Sequence, residues 1–209
     1  MLLTMLGSTF LFGALVYDVR YVLHDSDHMA GWLLGTISLM VLVGCGLSLP
    51  LAARWGTAPV MRGGTLAAGG VLLVAYVLPA RVEVIGVALA LFGLCVGICN
   101  PVCFTLLAHC MDGDGFSGTH TVGLAWALNS TASKMAFDIG GSLLAGVLAA
   151  SGLVGGARMQ PLHAQAGIHA GFLLVPAVLY LLAGGVVLRY FARQNPVEAV
   201  NSTASPPPT

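Results

Sequence analysis

Charge is what this 209-residue chain has least of: Asp, Glu, Lys and Arg together make up 8% of it, against 57% hydrophobic residues. A soluble globular domain carries roughly 25% charged residues. So few charges could not cover a folded surface that faces water, and a mean hydropathy of +0.92 agrees. Lipid must therefore replace water over most of the surface. Net charge is lacking too, with 8 basic residues against 8 acidic ones. No basic patch exists to hold nucleic acid, which removes that class of partner.

The chemistry of metal and redox sites is also missing. The five cysteines, Cys45, Cys95, Cys99, Cys103 and Cys110, form no C-x-x-C and no Cys/His cluster with zinc spacing. Cys95, Cys99 and Cys103 recur every four residues and share one helix face, where small soft side chains pack. No H-E-x-x-H, phosphate loop or G-x-S-x-G is present. An intramembrane hydrolase would need a nucleophile with a matched base deep in the bundle, and no such pair is seen. The reading is therefore not an enzyme, with no metal and no cofactor. A signal peptide is not indicated either, since no basic segment precedes the apolar start Met1 to Val16.

What is present is a succession of long apolar runs. About 20 mostly apolar residues cross the hydrocarbon core. Six such spans are predicted: Leu2 to Leu23, Ala30 to Ala52, Gly63 to Leu78, Val84 to His109, His120 to Ala150 and Gly167 to Tyr190. The fold class is all-α, a polytopic six-helix membrane bundle over residues 1–191. Residues 192–209, ending Ser-Pro-Pro-Pro-Thr, are expected to be a disordered cytoplasmic tail. The 28 glycines sit mainly inside the spans. There they let helix backbones approach closely, and Gly140, Gly141, Ala145 and Gly146 form one small-residue face.

Six spans put both termini and the second and fourth links on one side. That side has Arg54, Arg62, Arg189 and Arg193, against Arg20, Arg81 and Arg158 on the other. The bias leans towards cytoplasmic termini in an inner or plasma membrane.

The strongest local signal is Lys134 with Asp138, both deep in the fifth span. A charge at mid-bilayer costs at least about 2.5–3.5 kcal/mol on insertion scales. Spacing i, i+4 puts both on one face, where they can pair. Two readings stand: a substrate or proton site, and a structural ion pair that fixes helix packing. Asp18 and Arg20, beside Tyr17 and Tyr21, are either a gate with a proton-binding carboxylate or an interfacial cluster with a snorkelling arginine. Trp126 and Asn129 give the fifth span a wet, aromatic-bearing face, suited to a binding cavity or to a polar helix–helix contact. Asn100-Pro101 interrupts the fourth span, as a flexing point or a static kink. The histidines 24, 28, 109, 120, 163 and 169 lie in links or near span ends and are expected to be solvated.

Leu49-Pro50-Leu51-Ala52-Ala53-Arg54-Trp55-Gly56 resembles the loop signature G-x-L-a-D-R-x-G-R-R of the major facilitator superfamily. Leu51, Ala52, Arg54 and Gly56 match; Leu49 replaces Gly, Ala53 replaces Asp, and Thr57 and Ala58 replace the basic pair. The run Phe92 to Pro101 resembles the tenth helix of drug and sugar efflux members. Ala127-Leu128-Asn129 followed by Gly140-Gly141 resembles the eleventh. Gly141 to Leu148 is similar to the antiporter motif G-P-x-x-G-G-x-L, with Ser142 for Pro and Ala145 for Gly.

The resemblance covers residues 1–191 and implies the C-terminal six-helix half of such a transporter. It implies proton-coupled efflux of a small organic solute. A second six-helix half would be needed, as a homodimer or a separate chain, because alternating access takes two bundles rocking about a shared site. Lys134, Asp138, Asn129, Trp126 and Asp18 are the expected substrate and proton pathway. Gly141, Ser142, Ala145 and Gly146 are the expected packing residues, and Leu51, Arg54 and Gly56 the loop motif. The alternative is a non-transporting membrane subunit that scaffolds a larger complex.

Overall fold

The structure is a computed structural model, and it describes the backbone of residues 2–23, 27–113, 119–152 and 161–204. Every element it describes is helical. These are α1 (Leu2–Tyr21), α2 (Asp27–Trp55), α3 (Thr57–Val77), α4 (Val82–Gly113), α5 (Thr119–Ala150), α6 (Leu162–His169), a π-helical turn (Ala170–Leu174) and α7 (Val175–Ala204). Among the described residues, six helices are long and apolar enough to span a membrane, the sixth running from His163 to Arg189 through the π turn. The chain is an integral, multi-pass membrane protein. The expected links around 24–28, 111–119 and 152–166, with Asp114 and Arg158, fall wholly or partly outside the described residues, as do residues 205–209.

Helix is the backbone form that satisfies its own N–H and C=O groups where no water can. Hydroxyls inside the spans are handled the same way. Thr9, Thr65 and Ser142 donate to the carbonyls of Met5, Met61 and Asp138, one turn back.

Three boundaries differ from the sequence reading. The link expected at Ala53 to Arg62 is helical on both sides of Gly56, whose φ of 82° reverses the chain in a single residue. The last span starts at His163 rather than Gly167, because Pro161 stands at the head of α6 and its fixed φ suits a helix start. At the other end, α7 continues through Ala204, so the boundary expected at 191 lies within a helix.

The helices form a ring. α2 packs on α4, α4 on α3, α3 on α7, α7 on α1, and α1 touches α2. The centre is filled by Leu11, Leu15, Leu72, Leu89, Phe92 and Phe172, all nearly fully buried. The α2–α4 contact is the most extensive and rests on glycine. A Cβ on Gly93 would meet the Ile37 carbonyl oxygen at 2.8 Å, and one on Gly97 would press on the backbone of Val41.

α5 stands apart from the ring and packs mainly on α1. Ala136, Gly140, Leu144 and Leu148, spaced by four, are its buried residues. Gly140 fits against Thr9 and Leu6 of α1. Here the expected packing role moves by one residue. Gly141 and Gly146 meet nothing within 4 Å, and Ser142 and Ala145 are exposed, because the four-residue stripe that meets α1 runs through Gly140.

The glycine contact makes a contrast testable. Gly97→Leu should destabilise the bundle by about 1–3 kcal/mol, the usual range for overpacking. Gly46→Leu, at a site with nothing within 4 Å, should instead gain about 0.5–1 kcal/mol from better helix propensity. Unfolding of the purified protein in detergent measures both; equal effects would mean that the close approach is not holding α2 to α4.

Candidate functional site

One seam of the bundle carries two polar rungs. It runs between α1 and the antiparallel last span. On the first rung the hydroxyls of Ser8 and Tyr180 share a hydrogen bond of 2.8 Å. On the second, Asp18 Oδ1 meets His169 Nδ1, also at 2.8 Å. From residue 8 to 18 is ten steps on α1; from 169 to 180 is eleven on its partner. A π turn takes up one residue more than α-helix does, and it lies between the rungs at Ala170–Leu174. The π turn thus brings both pairs into register.

The first rung borders a cavity of about 220 Å³. Its wall is largely apolar, with Thr4, Ser8, Asn100 and Tyr180 as polar residues and Phe12, Cys99 and Phe137 among the rest. Tyr180 is held in place edge-on to Phe92, ring centroids 5.2 Å apart. The backbone at Gly7 lets the Tyr180 ring approach, since a Cβ there would sit 3.0 Å from it. α4 runs unbroken through Pro101, which leaves Asn100 on the cavity wall.

Lys134 and Asp138 are both exposed on α5, and no ion pair joins them; the one ion pair among the described residues is Asp18–His169. A structural pair fixing helix packing is therefore not what they form in this bundle. Lys134, Phe137, Asp138 and Gly141 follow the i, i+3, i+4, i+7 spacing of one helix stripe. Phe137 lines the cavity, and the two charges are its neighbours on that stripe of α5. Further along α5, Trp126 stacks on Phe104 of α4 at 5.4 Å and stays exposed. Asn129 is half-buried, and its carbonyl accepts from Ser133.

Asp18 corrects the interfacial reading, since its exposure is 0%. His169 corrects the expectation of solvated histidines, with 14% exposure. The early start of the last span draws it inward. His28 and His163 are exposed, as expected, and Arg20 lies 5.9 Å over the Tyr21 ring at the bundle end. Of the loop motif, Leu51 packs on a small cluster of Val60, Met61, Cys99 and Val102, Arg54 is exposed in the last turn of α2, and Gly56 is the turn. Sequence reasoning missed Ser8 and Tyr180. Each is a polar residue in an apolar span, but their partnership is visible only once the spans pack.

His169→Ala would leave Asp18 buried without its partner. It should destabilise the protein by about 3–5 kcal/mol, the usual result of breaking a buried pair from one side. Asp138→Asn, on an exposed face, should shift stability by less than about 0.5 kcal/mol. Chemical unfolding in detergent compares the two; a silent His169→Ala would deny the pair a structural share.

The profile of a family described as MFS/sugar transport protein matches residues 1–192. The glucuronide carrier protein homolog of Escherichia coli (strain K12) is 32% identical over 197 residues, which cover 90% of this chain and 42% of that carrier. The chain thus spans less than half the length of the curated relative it matches. No solved structure matches it significantly. With six spans in a bundle and a match over nearly their whole length, the chain belongs to the MFS/sugar transport protein family, with the span count of one half of a major facilitator fold.

Proposed function

We propose that the chain is one half of a secondary transporter that moves a small, anionic, sugar-like solute across the membrane. The observation that carries this reading is the cavity bordered by Ser8, Asn100 and Tyr180, with Lys134 and Asp138 exposed on α5 beside its lining residue Phe137. At about 220 Å³ it is smaller than the roughly 300–1,000 Å³ of typical ligand pockets. That size suits half a cavity, completed by a second six-helix half. The partner is either a further part of a longer chain or another chain, a second copy included.

Among the described residues no carboxylate pairs with Lys134, so it is available to a carboxylate on the solute. The relative named as a glucuronide carrier homolog supports that class. Hydroxyls of the solute would meet Asn100, Ser8 and Tyr180. Asp138 lies one turn from Lys134, and in this reading it holds a proton while Lys134 holds the solute, then pairs with Lys134 once the solute leaves. Transport is thereby coupled to protons. Proton and solute held together cross together, so this step lets an inward proton gradient drive uptake, whereas the antiporter-like stretch Gly141 to Leu148 would favour an outward direction. The arginines Arg54, Arg62 and Arg189 support cytoplasmic termini.

The first measurement is the mass of the complex extracted in mild detergent from its native membrane. Two copies, or one copy with a second six-span chain, are expected. This chain locked among unrelated subunits would favour a scaffold role instead. In vesicles from the same membrane, Lys134→Met should raise the KM for a labelled glucuronide about tenfold or more, as loss of a charged hydrogen bond worth about 1.5–3 kcal/mol implies. An unchanged KM would sink the assignment of Lys134.

A further inference from the structure

We infer that Asp18 and His169 form a proton-binding site, separate from Lys134 and Asp138, that works on the cavity through the α1 seam. Asp18 is wholly buried, and while Oδ1 meets His169, Oδ2 makes no hydrogen bond to the protein. A carboxylate beside a neutral imidazole places a net charge of −1 in apolar surroundings, a costly state. One added proton brings the pair to zero, as imidazolium with carboxylate or as imidazole with carboxylic acid. The second carboxyl oxygen and the imidazole supply the acceptors.

The surroundings fit a proton rather than a metal ion. Among the described residues no group of three or more His, Cys, Asp or Glu comes together. Tyr76 of α3 stacks on the imidazole, centroids 5.8 Å apart, and an aromatic face favours a cationic partner. Among the described residues the other ionisable groups at this end are Tyr17, Arg20 and Tyr21 on α1, His28 on α2, Arg81 just before α4, Glu83 in its first turn, and His163 on α6. No hydrogen bond or ion pair ties these to the pair. Asp18 is three residues from the end of α1, and Tyr76 one from the end of α3. The pair therefore lies near one end of the bundle, where His169 keeps a small exposed part.

The π turn makes the site more than a buried pair. It begins at the residue after His169 and ends two before Pro176, which has no N–H to give its own turn. π turns inside α-helices gather at functional sites. Here the turn stands between the proton pair and the Ser8–Tyr180 rung on the cavity, ten residues or about 15 Å along α1. Any shift of the last span that follows proton uptake at His169 is felt at Tyr180, because both are rungs of one seam.

Infrared difference spectra of the purified full chain in lipid, taken between about pH 8 and about pH 5, where histidine changes charge, test the site itself. The wild type should show a carboxyl or imidazole contribution that is absent from both Asp18→Asn and His169→Gln and present in Asp138→Asn. Variant spectra that superimpose on the wild type would overturn the proposal, and if one variant fails to fold the other gives the same two readings. The role in coupling rests on the transport reading. In native-membrane vesicles, the pH profile of glucuronide transport should flatten in Asp18→Asn, and an unaltered profile would remove the coupling role. Absence of transport by the wild type would overturn the transport reading alone, since the spectra judge the proton site without it.

Discussion

In hydrocarbon a helix has no hydrophobic drive to join another helix, because lipid is as apolar as its side chains; contact area and polar bridges must do it. The rest of this structure depends on that constraint. Where the chain supplies glycine, as at Gly93 and Gly97, the backbones of α2 and α4 meet directly and the pair becomes the tightest in the bundle. Elsewhere polar rungs add to close packing. The seam between α1 and the last span is held by Ser8–Tyr180 and Asp18–His169. Both devices cost something that only packing repays: glycine loses helix propensity, and a buried carboxylate loses its hydration.

α5 shows what happens when a glycine contact covers only one stripe of a helix. Among its described residues only the stripe Ala136, Gly140, Leu144 and Leu148 is buried, and most of the others are exposed. A span whose other side met only lipid would have no reason to carry Lys134 and Asp138 there, since a charge facing lipid is expensive. α2 and α5 are the least covered of the six spans. The cavity walled mainly by α1 and α4 reaches one residue of each, Val41 of α2 and Phe137 of α5.

The number of spans was legible in the sequence, because a run of some 20 apolar residues has few alternatives. The loop motif was legible as a pattern but not as a shape, since nothing in Arg54-Trp55-Gly56 says that one residue suffices to turn the chain. Lys134 and Asp138 stood out because a charge in an apolar run is a local anomaly. Asp18 stood out less, because three residues short of a span end a carboxylate can equally meet water. His169 was misplaced by a boundary: starting the last span at Gly167 put it at the surface, and starting it at His163 carries it inward. Ser8, Tyr180 and the π turn were not legible. Their meaning lies in the register between two helices distant in sequence, and a one-residue offset leaves no mark on composition.

That register bears on how the two polar centres relate. α1 is the helix they share: Asp18 and Ser8 sit on its seam with the last span, and Gly140 of α5 rests on its Thr9. Thr9 is next to Ser8, so the residue that seats α5 adjoins the residue that borders the cavity. A displacement of α1 along the seam would therefore move the cavity wall and the helix bearing Lys134 and Asp138 together. A carboxylate buried at one end of α1 and charges exposed on its neighbour are then not two independent anomalies in an apolar chain. They are the two places where the same helix is answerable to charge, one through the last span and the other through α5.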